Sequence, residues 1–344
     1  MRQNEILIAF SKLTPAQRNR IEKELLSLID RNEKLNSAKP EVCPICGCSH
    51  EHLVKRGIQS GKQRWTCKEC GHKFTYDSHT ITSNLKIDKS IFLEICIDTL
   101  CMIPIKKTAE RLNVSVRCVF TNRHKLLCLL EQILIDENTQ VSGIIEGDEK
   151  YVHESVKGTP PENRKARHRG EPCSRRGISR EQICIVTTTD RNGHEIFKAV
   201  GSAKPTKDII DDTLSLHITK DSIMYVDGLT GYDVLQEKKV CEVRHLTGHS
   251  SYNKVEHINT VNQIHSMIGK KLADYRGVAT KYMNRYMALF VFMRRFMELD
   301  DCEMADALID TIRWVKCTIT RKSLKTDHLF LGYADIPLKE SYVD

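Results

Sequence analysis

The chain has 344 residues, 40% hydrophobic and 28% charged, with a net charge of +8 from 53 basic and 45 acidic residues. This composition excludes collagen-like and disordered classes, and the length predicts two or three domains of about 100–200 residues each. No stretch approaches the roughly 20 uninterrupted apolar residues of a membrane helix. The opening MRQNEILIAF has no apolar signal core, so a cytoplasmic protein is expected.

Residues 1–40 read as a helical segment, with Ile6, Leu7, Phe10, Ile21, Leu25, Leu26 and Ile29 on helical spacing. Thr14-Pro15-Ala16-Gln17 predicts a helix start, with Thr14 as cap, Pro15 at the first position and Gln17 at the third. A polar linker, NEKLNSAKPE, closes the segment.

Fourteen cysteines in a reducing compartment point to thiols or metal ligands rather than disulfides. Ten are scattered, mostly in apolar runs, and read as small core residues. The other four form two Cys-x-x-Cys pairs, Cys43/Cys46 and Cys67/Cys70, with 20 residues between the pairs and a glycine after each. Such turns bring two thiolates onto one cation, and two of them complete a closed tetrahedral site, structural rather than catalytic. The span 41–80 is therefore expected to be a four-cysteine zinc ribbon. Two separate redox pairs are the alternative, and Cys48, His50, His52 and His72 are possible substitute ligands.

Residues 85–137 have the pattern of a helix-turn-helix, with a plain helical hairpin as the alternative. The first helix runs over Lys106–Leu112, Asn113-Val114-Ser115 makes the turn, and Ser115 caps a second helix from Val116. That second helix is expected to present Arg117, Asn122, Arg123 and Lys125 to DNA.

From residue 143 the period changes. GIIEGDEKYV, QICIVTTTD and EIFKAVGS read as strands, the last two joined by an Arg191-Asn192-Gly193 turn. Alternating helices and strands follow, predicting an α/β layer with a mixed sheet. Between Arg164 and Arg180 stand seven basic residues against one acid, Glu171. A solvated loop is one reading of that run.

Asp148 lies in or at the end of an apolar strand, and Asp227 ends SIMYVD. Carboxylates at adjacent strand ends can hold divalent cations for phosphoryl transfer. The helix beginning HINTVNQIHSMIGKKL has no acid inside it. Glu256 precedes it, and Asn262 offers a neutral oxygen ligand. His257 and His265 read as polar helix residues.

These blocks together resemble the zinc-ribbon DDE-type transposases of bacterial insertion sequences, the ISXO-like group. The resemblance covers roughly residues 40–296. It rests on the ribbon, IEGDEKYV, SRRGISREQICIV, MYVDGLTGYDVL and HINTVNQIHSMIGKKLADYRGVATKYMNRYMALF. It implies a multidomain α+β protein with a ribonuclease-H-like catalytic domain over 143–298, a basic insertion at 154–180 and a helical tail at 299–344. Asp148 and Asp227 become the first two metal ligands. The third acidic position falls on Asn262, 35 residues after Asp227, which makes an Asp-Asp-Asn variant with one negative charge fewer.

The lysine expected about two turns further along the helix falls at Gly269-Lys270-Lys271, and Lys270 is nearest the expected spacing. The resemblance turns Arg164, Lys165, Arg167, Arg169, Arg175, Arg176 and Arg180 into DNA contacts. It implies structural Zn2+ and catalytic Mg2+ or Mn2+. The implied function is binding of terminal inverted repeats, hydrolysis that frees a 3′-hydroxyl, and strand transfer into target DNA. Joining two ends implies a homodimer or higher oligomer on double-stranded DNA, associated with the nucleoid. The alternatives are a DNA-binding regulator without cleavage and a metal-dependent nuclease of the same fold.

Overall fold

A computed structural model describes residues 12–37, 40–59, 62–75, 78–83, 85–134, 139–157, 171–173, 176–246, 255–313, and 315, 317, 319, 320 and 324. The helices are α1 (Pro15–Ser37), α2 (Lys89–Leu100), α3 (Ile105–Leu112), α4 (Val116–Leu134), α5 (Lys207–Leu214), α6 (Asp233–Glu237), α7 (Asn259–Asp274), α8 (Met283–Arg295) and α9 (Asp301–Arg313). The strands are β1 (Leu53–Gln59), β2 (Lys62–Cys67), β3 (Lys73–Thr75), β4 (Ile144–His153), β5 (Gln182–Asp190), β6 (Glu195–Ser202), β7 (Ile223–Val226) and β8 (Glu242–His245). Two compact units result, one of residues 1–97 and 296–318, the other of 98–295 and 319–344.

In the first unit the capping box predicted at Thr14 is formed. The Gln17 amide donates to Thr14 Oγ1 at 3.3 Å, and the Thr14 amide donates to Gln17 Oε1 at 2.9 Å. Strands β1, β2 and β3 make an antiparallel sheet in that order. Cys43, Leu53, Trp65, Cys67 and Phe74 form its small core.

The second unit is a three-layer α/β/α arrangement around a mixed five-stranded sheet of order β6-β5-β4-β7-β8. Strands β4, β5 and β6 pair antiparallel, whereas β7 and β8 run parallel to β4. Asp190 holds the turn between β5 and β6, its Oδ1 accepting the amides of Asn192 (2.8 Å) and His194 (2.9 Å). Alternation along β4 sends Ile145 toward α5 and α6, into a core with Val186, Ile210, Leu214 and Tyr232. Glu146 and Asp148 point the other way, toward α7.

The stretch expected to form a helix-turn-helix folds as the two helices α3 and α4. Asn113 turns the chain with φ 53°, and Ser115 Oγ accepts the Cys118 amide at 3.1 Å. It is not a separate body, however. The expected boundary between an 85–137 module and a 143–298 domain does not appear, because α4 buries Leu126, Leu127, Leu129 and Leu130 and packs on α8. The compact unit instead begins at Asp98.

Candidate active site

Register places the two aspartates side by side. Gly147 pairs with Val226 in the parallel β4–β7 ladder, so Asp148 and Asp227 each stand one residue beyond a paired position. Strand β7 ends there while β4 continues to His153. The carboxylates therefore sit where the sheet order turns from antiparallel to parallel, the usual crevice of open α/β sheets. Carboxylate oxygens of Asp148, Glu149 and Asp227 all lie within 4.8 Å of one another.

The electrostatics of this group fit a cation. Burial pushes the Asp148 carboxyl up to about 6, with the nearby Asp227 charge adding to it and the Glu149 amide, donating at 2.8 Å, opposing it. Burial likewise pushes Glu149 up to about 7, and its Oε1 is buried without a hydrogen-bond partner. Like-charged buried acids resist ionising together unless a counter-charge joins them, and oxygen clusters of this kind suit hard divalent cations.

Helix α7 is fixed across this face by a carboxylate. Glu146, 1% exposed, accepts the Val261 amide at 3.0 Å and the Thr260 hydroxyl at 2.8 Å. It thereby satisfies first-turn donors of α7 and complements the positive helix end. Arg191 pairs with the same carboxylate, and His257 Nδ1 lies 3.3 Å from it. One turn further on, His265 is buried at 8% exposure with Nδ1 3.5 Å from Asp148 Oδ2 and Nε2 unpartnered. Burial and the Lys150 charge bring its imidazole down to about 4, so it is neutral at pH 7.

Asn262 is exposed and lies three residues before His265, on the same helix face. Glu256 is not part of the group, since it faces Arg244 at 3.6 Å. Lys270 is exposed, while Lys271 lies 3.9 Å from Met102 Sδ and burial lowers it. Glu149 and His265 are members that sequence reasoning did not select. The Asp-Glu pair in IEGDEKYV was the available signal for Glu149.

In the ribbon, the Sγ atoms of Cys43, Cys46, Cys67 and Cys70 lie within 4.8 Å of one another. Cys43–Cys70 and Cys46–Cys67 are each 3.6 Å apart, close to the edge of a tetrahedron of Zn–S bonds of about 2.3 Å. Gly47 and Gly71 have φ of 72° and 70° and close the turns by donating to the Cys43 and Cys67 carbonyls. The Cys70 amide lowers the Cys67 thiol to about 6. Cys48 Sγ is 3.2 Å from Cys67 Sγ, and His52 is instead paired with Glu69 at 2.7 Å.

The expected DNA contacts divide. Arg117 is exposed and Lys125 half-buried on α4, and Arg176 is exposed and Arg180 half-buried. Arg164, Lys165, Arg167, Arg169 and Arg175 lie outside the described residues. Arg123 and Asn122 are corrections. Arg123 is 1% exposed and donates to Thr99 Oγ1 (3.1 Å) and the Ile103 carbonyl (2.7 Å). Asn122 is buried and donates to the Cys118 carbonyl at 2.9 Å. Both belong to the interior face of α4, so neither is available to a base or a phosphate.

Residues 140–295 match the ISXO2-like transposase domain family. An uncharacterized protein in the transposable element ISH50 of Halobacterium salinarum is 22% identical over 280 residues, spanning 78% of this chain and 90% of the relative. Among solved structures, the mariner Mos1 paired end complex with Mg aligns at a TM-score of 0.27 and 15% identity, over 69% of this chain and 77% of that one. The Mos1 strand transfer complex aligns at a TM-score of 0.26 and 15% identity, over 64% and 73%. Among the described residues, no helix is long and apolar enough to cross a membrane. The segment that matches the ISXO2-like transposase domain, residues 140–295, is the one that holds Asp148, Asp227 and Asn262.

Proposed function

We propose that the protein binds the terminal repeats of an insertion sequence, hydrolyses the phosphodiester at the element's end and transfers the freed 3′-hydroxyl into target DNA. The observation that carries this reading is the convergence of Asp148, Glu149 and Asp227, with oxygens within 4.8 Å, where β7 ends beside the continuing β4. Two divalent cations bound there, Mg2+ or Mn2+, would activate the attacking oxygen and stabilise the leaving one.

The chain's own contribution is placement. Asp148 and Asp227 would hold the cations from adjacent strands. Glu149 offers the third carboxylate that Asn262 lacks, which favours an enzyme over a binding-only regulator. The mixed sheet covered by helices on both faces supports the ribonuclease-H-like reading of 143–298. Glu146 holds α7 so that His265 lies against Asp148 of β4, with Asn262 three residues before it on the helix. No nucleophilic side chain of the protein is needed, because both steps are in-line displacements at phosphorus.

The ribbon, with zinc on Cys43, Cys46, Cys67 and Cys70, and exposed residues of the helix-turn-helix such as Arg117 would bind the element ends. Arg176 and its basic neighbours would hold phosphates. Two ends joined in one reaction call for at least a dimer on DNA.

The reading is tested by incubating purified protein with end-bearing DNA and Mg2+ or Mn2+ and following both strands. Metal-dependent nicking at the end, followed by joining to a second duplex, supports it. Nicking without joining indicates a nuclease. Binding with neither indicates a regulator.

A further inference from the structure

Strand β4 and helix α7 run alongside each other in matched steps. Two strand residues advance about 6.6 Å and four helix residues about 6 Å. Glu146 accordingly meets Val261, and Asp148 meets His265. The next step along the same strand face is Lys150, and its helix partner is Gly269. The nearest atom to where a Cβ would stand on Gly269 is Lys150 Nζ, at 3.9 Å. The ammonium thus stands at van der Waals distance from the bare side of the helix at Gly269.

Lys150 has no ion-pair or hydrogen-bond partner among the described residues, although it is half-buried. A partly desolvated cation without a counter-charge is unusual in a folded protein. Its field reaches Asp148 and His265. It also lines a cavity of about 570 Å³ with Val152, Gly269, Leu272 and Ala273. That cavity lies along the part of β4 that outruns β7, directly beyond the carboxylate group.

We propose that Lys150 is the phosphate-contacting lysine of this active site, its ammonium meeting a non-bridging oxygen of the DNA strand that enters the cleft along β4 beside Gly269. The proposal rests on the DNA-transfer reading above. It moves the phosphate contact from Lys270 on the helix to the strand that carries Asp148. A lysine suits this place because it is a compact point charge on a flexible stem.

The test uses the full-length protein, end DNA, and substrates in which single phosphates near the cleavage point are neutral methylphosphonates. Lys150→Met should melt like wild type and cleave roughly 10- to 100-fold more slowly, as loss of one charge-assisted contact implies. Wild type should be inhibited by neutralising one particular phosphate, and Lys150→Met should be indifferent to that same change. Lys150→Met combined with Gly269→Lys should recover cleavage, because a lysine rooted at 269 returns an ammonium to the same space. The proposal is overturned if Lys150→Met cleaves like wild type, keeps the full methylphosphonate penalty, or gains nothing from Gly269→Lys. A Met variant that no longer folds also overturns it, by making Lys150 a structural cation. Wild-type protein that cleaves no end DNA would sink the DNA-transfer reading together with this one. Wild-type cleavage with an unaffected Lys150→Met would sink this one alone.

Discussion

Asp148→Asn should make the cation-free protein more stable while abolishing cleavage. Burial lifts the Asp148 carboxyl from 3.8 to about 6 with its side chain only 15% exposed. That rise sets an upper bound of about 3 kcal/mol on the penalty for ionising it in the fold. Because the folded value is the higher one, the penalty is absent below the unfolded value. It grows between about pH 4 and pH 6 and is complete above that. Asparagine keeps an oxygen for the Glu149 amide and relieves repulsion with Asp227, so a gain of roughly 1–3 kcal/mol is expected at pH 7.5. Chemical unfolding of both proteins without Mg2+ or Mn2+, from pH 4 to pH 7.5, measures it. Any zinc on Cys43, Cys46, Cys67 and Cys70 would affect both alike. Adding Mg2+ or Mn2+ should then stabilise wild type and not the variant. No gap at pH 7.5, or a gap already complete at pH 4, would refute the reasoning.

Cys67→Ser should release one zinc per chain and melt the ribbon while the five-stranded sheet stays folded, as metal analysis and circular dichroism would report. Glu146→Ala should cost about 2–4 kcal/mol in denaturant unfolding, because it leaves the buried Val261 amide without its acceptor and takes the carboxylate from Thr260 and Arg191. Arg117→Ala should leave stability within about 0.5 kcal/mol and flatten the salt dependence of DNA binding by about one phosphate's worth. Arg123→Ala should do the reverse, destabilising by about 2–4 kcal/mol without a change in salt slope in the fraction that folds. Asn262→Ala should lose most cleavage with DNA affinity retained. Asn262→Glu should impair cleavage by adding a charge to a cleft already holding three carboxylates, which a rate comparison at fixed Mg2+ decides.

What could be read in the sequence is what depends on local spacing. Two Cys-x-x-Cys turns with following glycines specify their own geometry, and Asn113-Val114-Ser115 specifies a helix stop and start. Asp148 and Asp227 were readable because each ends or follows an apolar run. Glu149 had only its place next to Asp148 as a signal, and His265 had none, because its membership depends on how α7 packs against β4. The pairing of Gly147 with Val226 brings Asp227 level with Asp148, and Glu149 follows. Arg123 was misjudged by a helix-turn-helix template, although its own periodicity pointed inward. Val119, Arg123, Leu126, Leu127 and Leu130 fall on one face of α4, and all are buried. Lys270 followed from spacing along a helix alone, whereas the approach of Lys150 to Gly269 depends on how β4 packs against α7.

The claim that Asp148 and Asp227 hold cations on the reacting phosphate is tested most directly by sulfur substitution. A substrate with one non-bridging oxygen of the scissile phosphate replaced by sulfur should be cleaved poorly in Mg2+, because sulfur is a soft ligand for a hard cation. Replacing Mg2+ by Mn2+ should restore cleavage in wild type and in Lys150→Met, but not in Asp148→Ala or Asp227→Ala. Equal cleavage of the sulfur and oxygen substrates in Mg2+, or restored cleavage in the aspartate variants, would contradict a cation-bearing carboxylate centre in this protein.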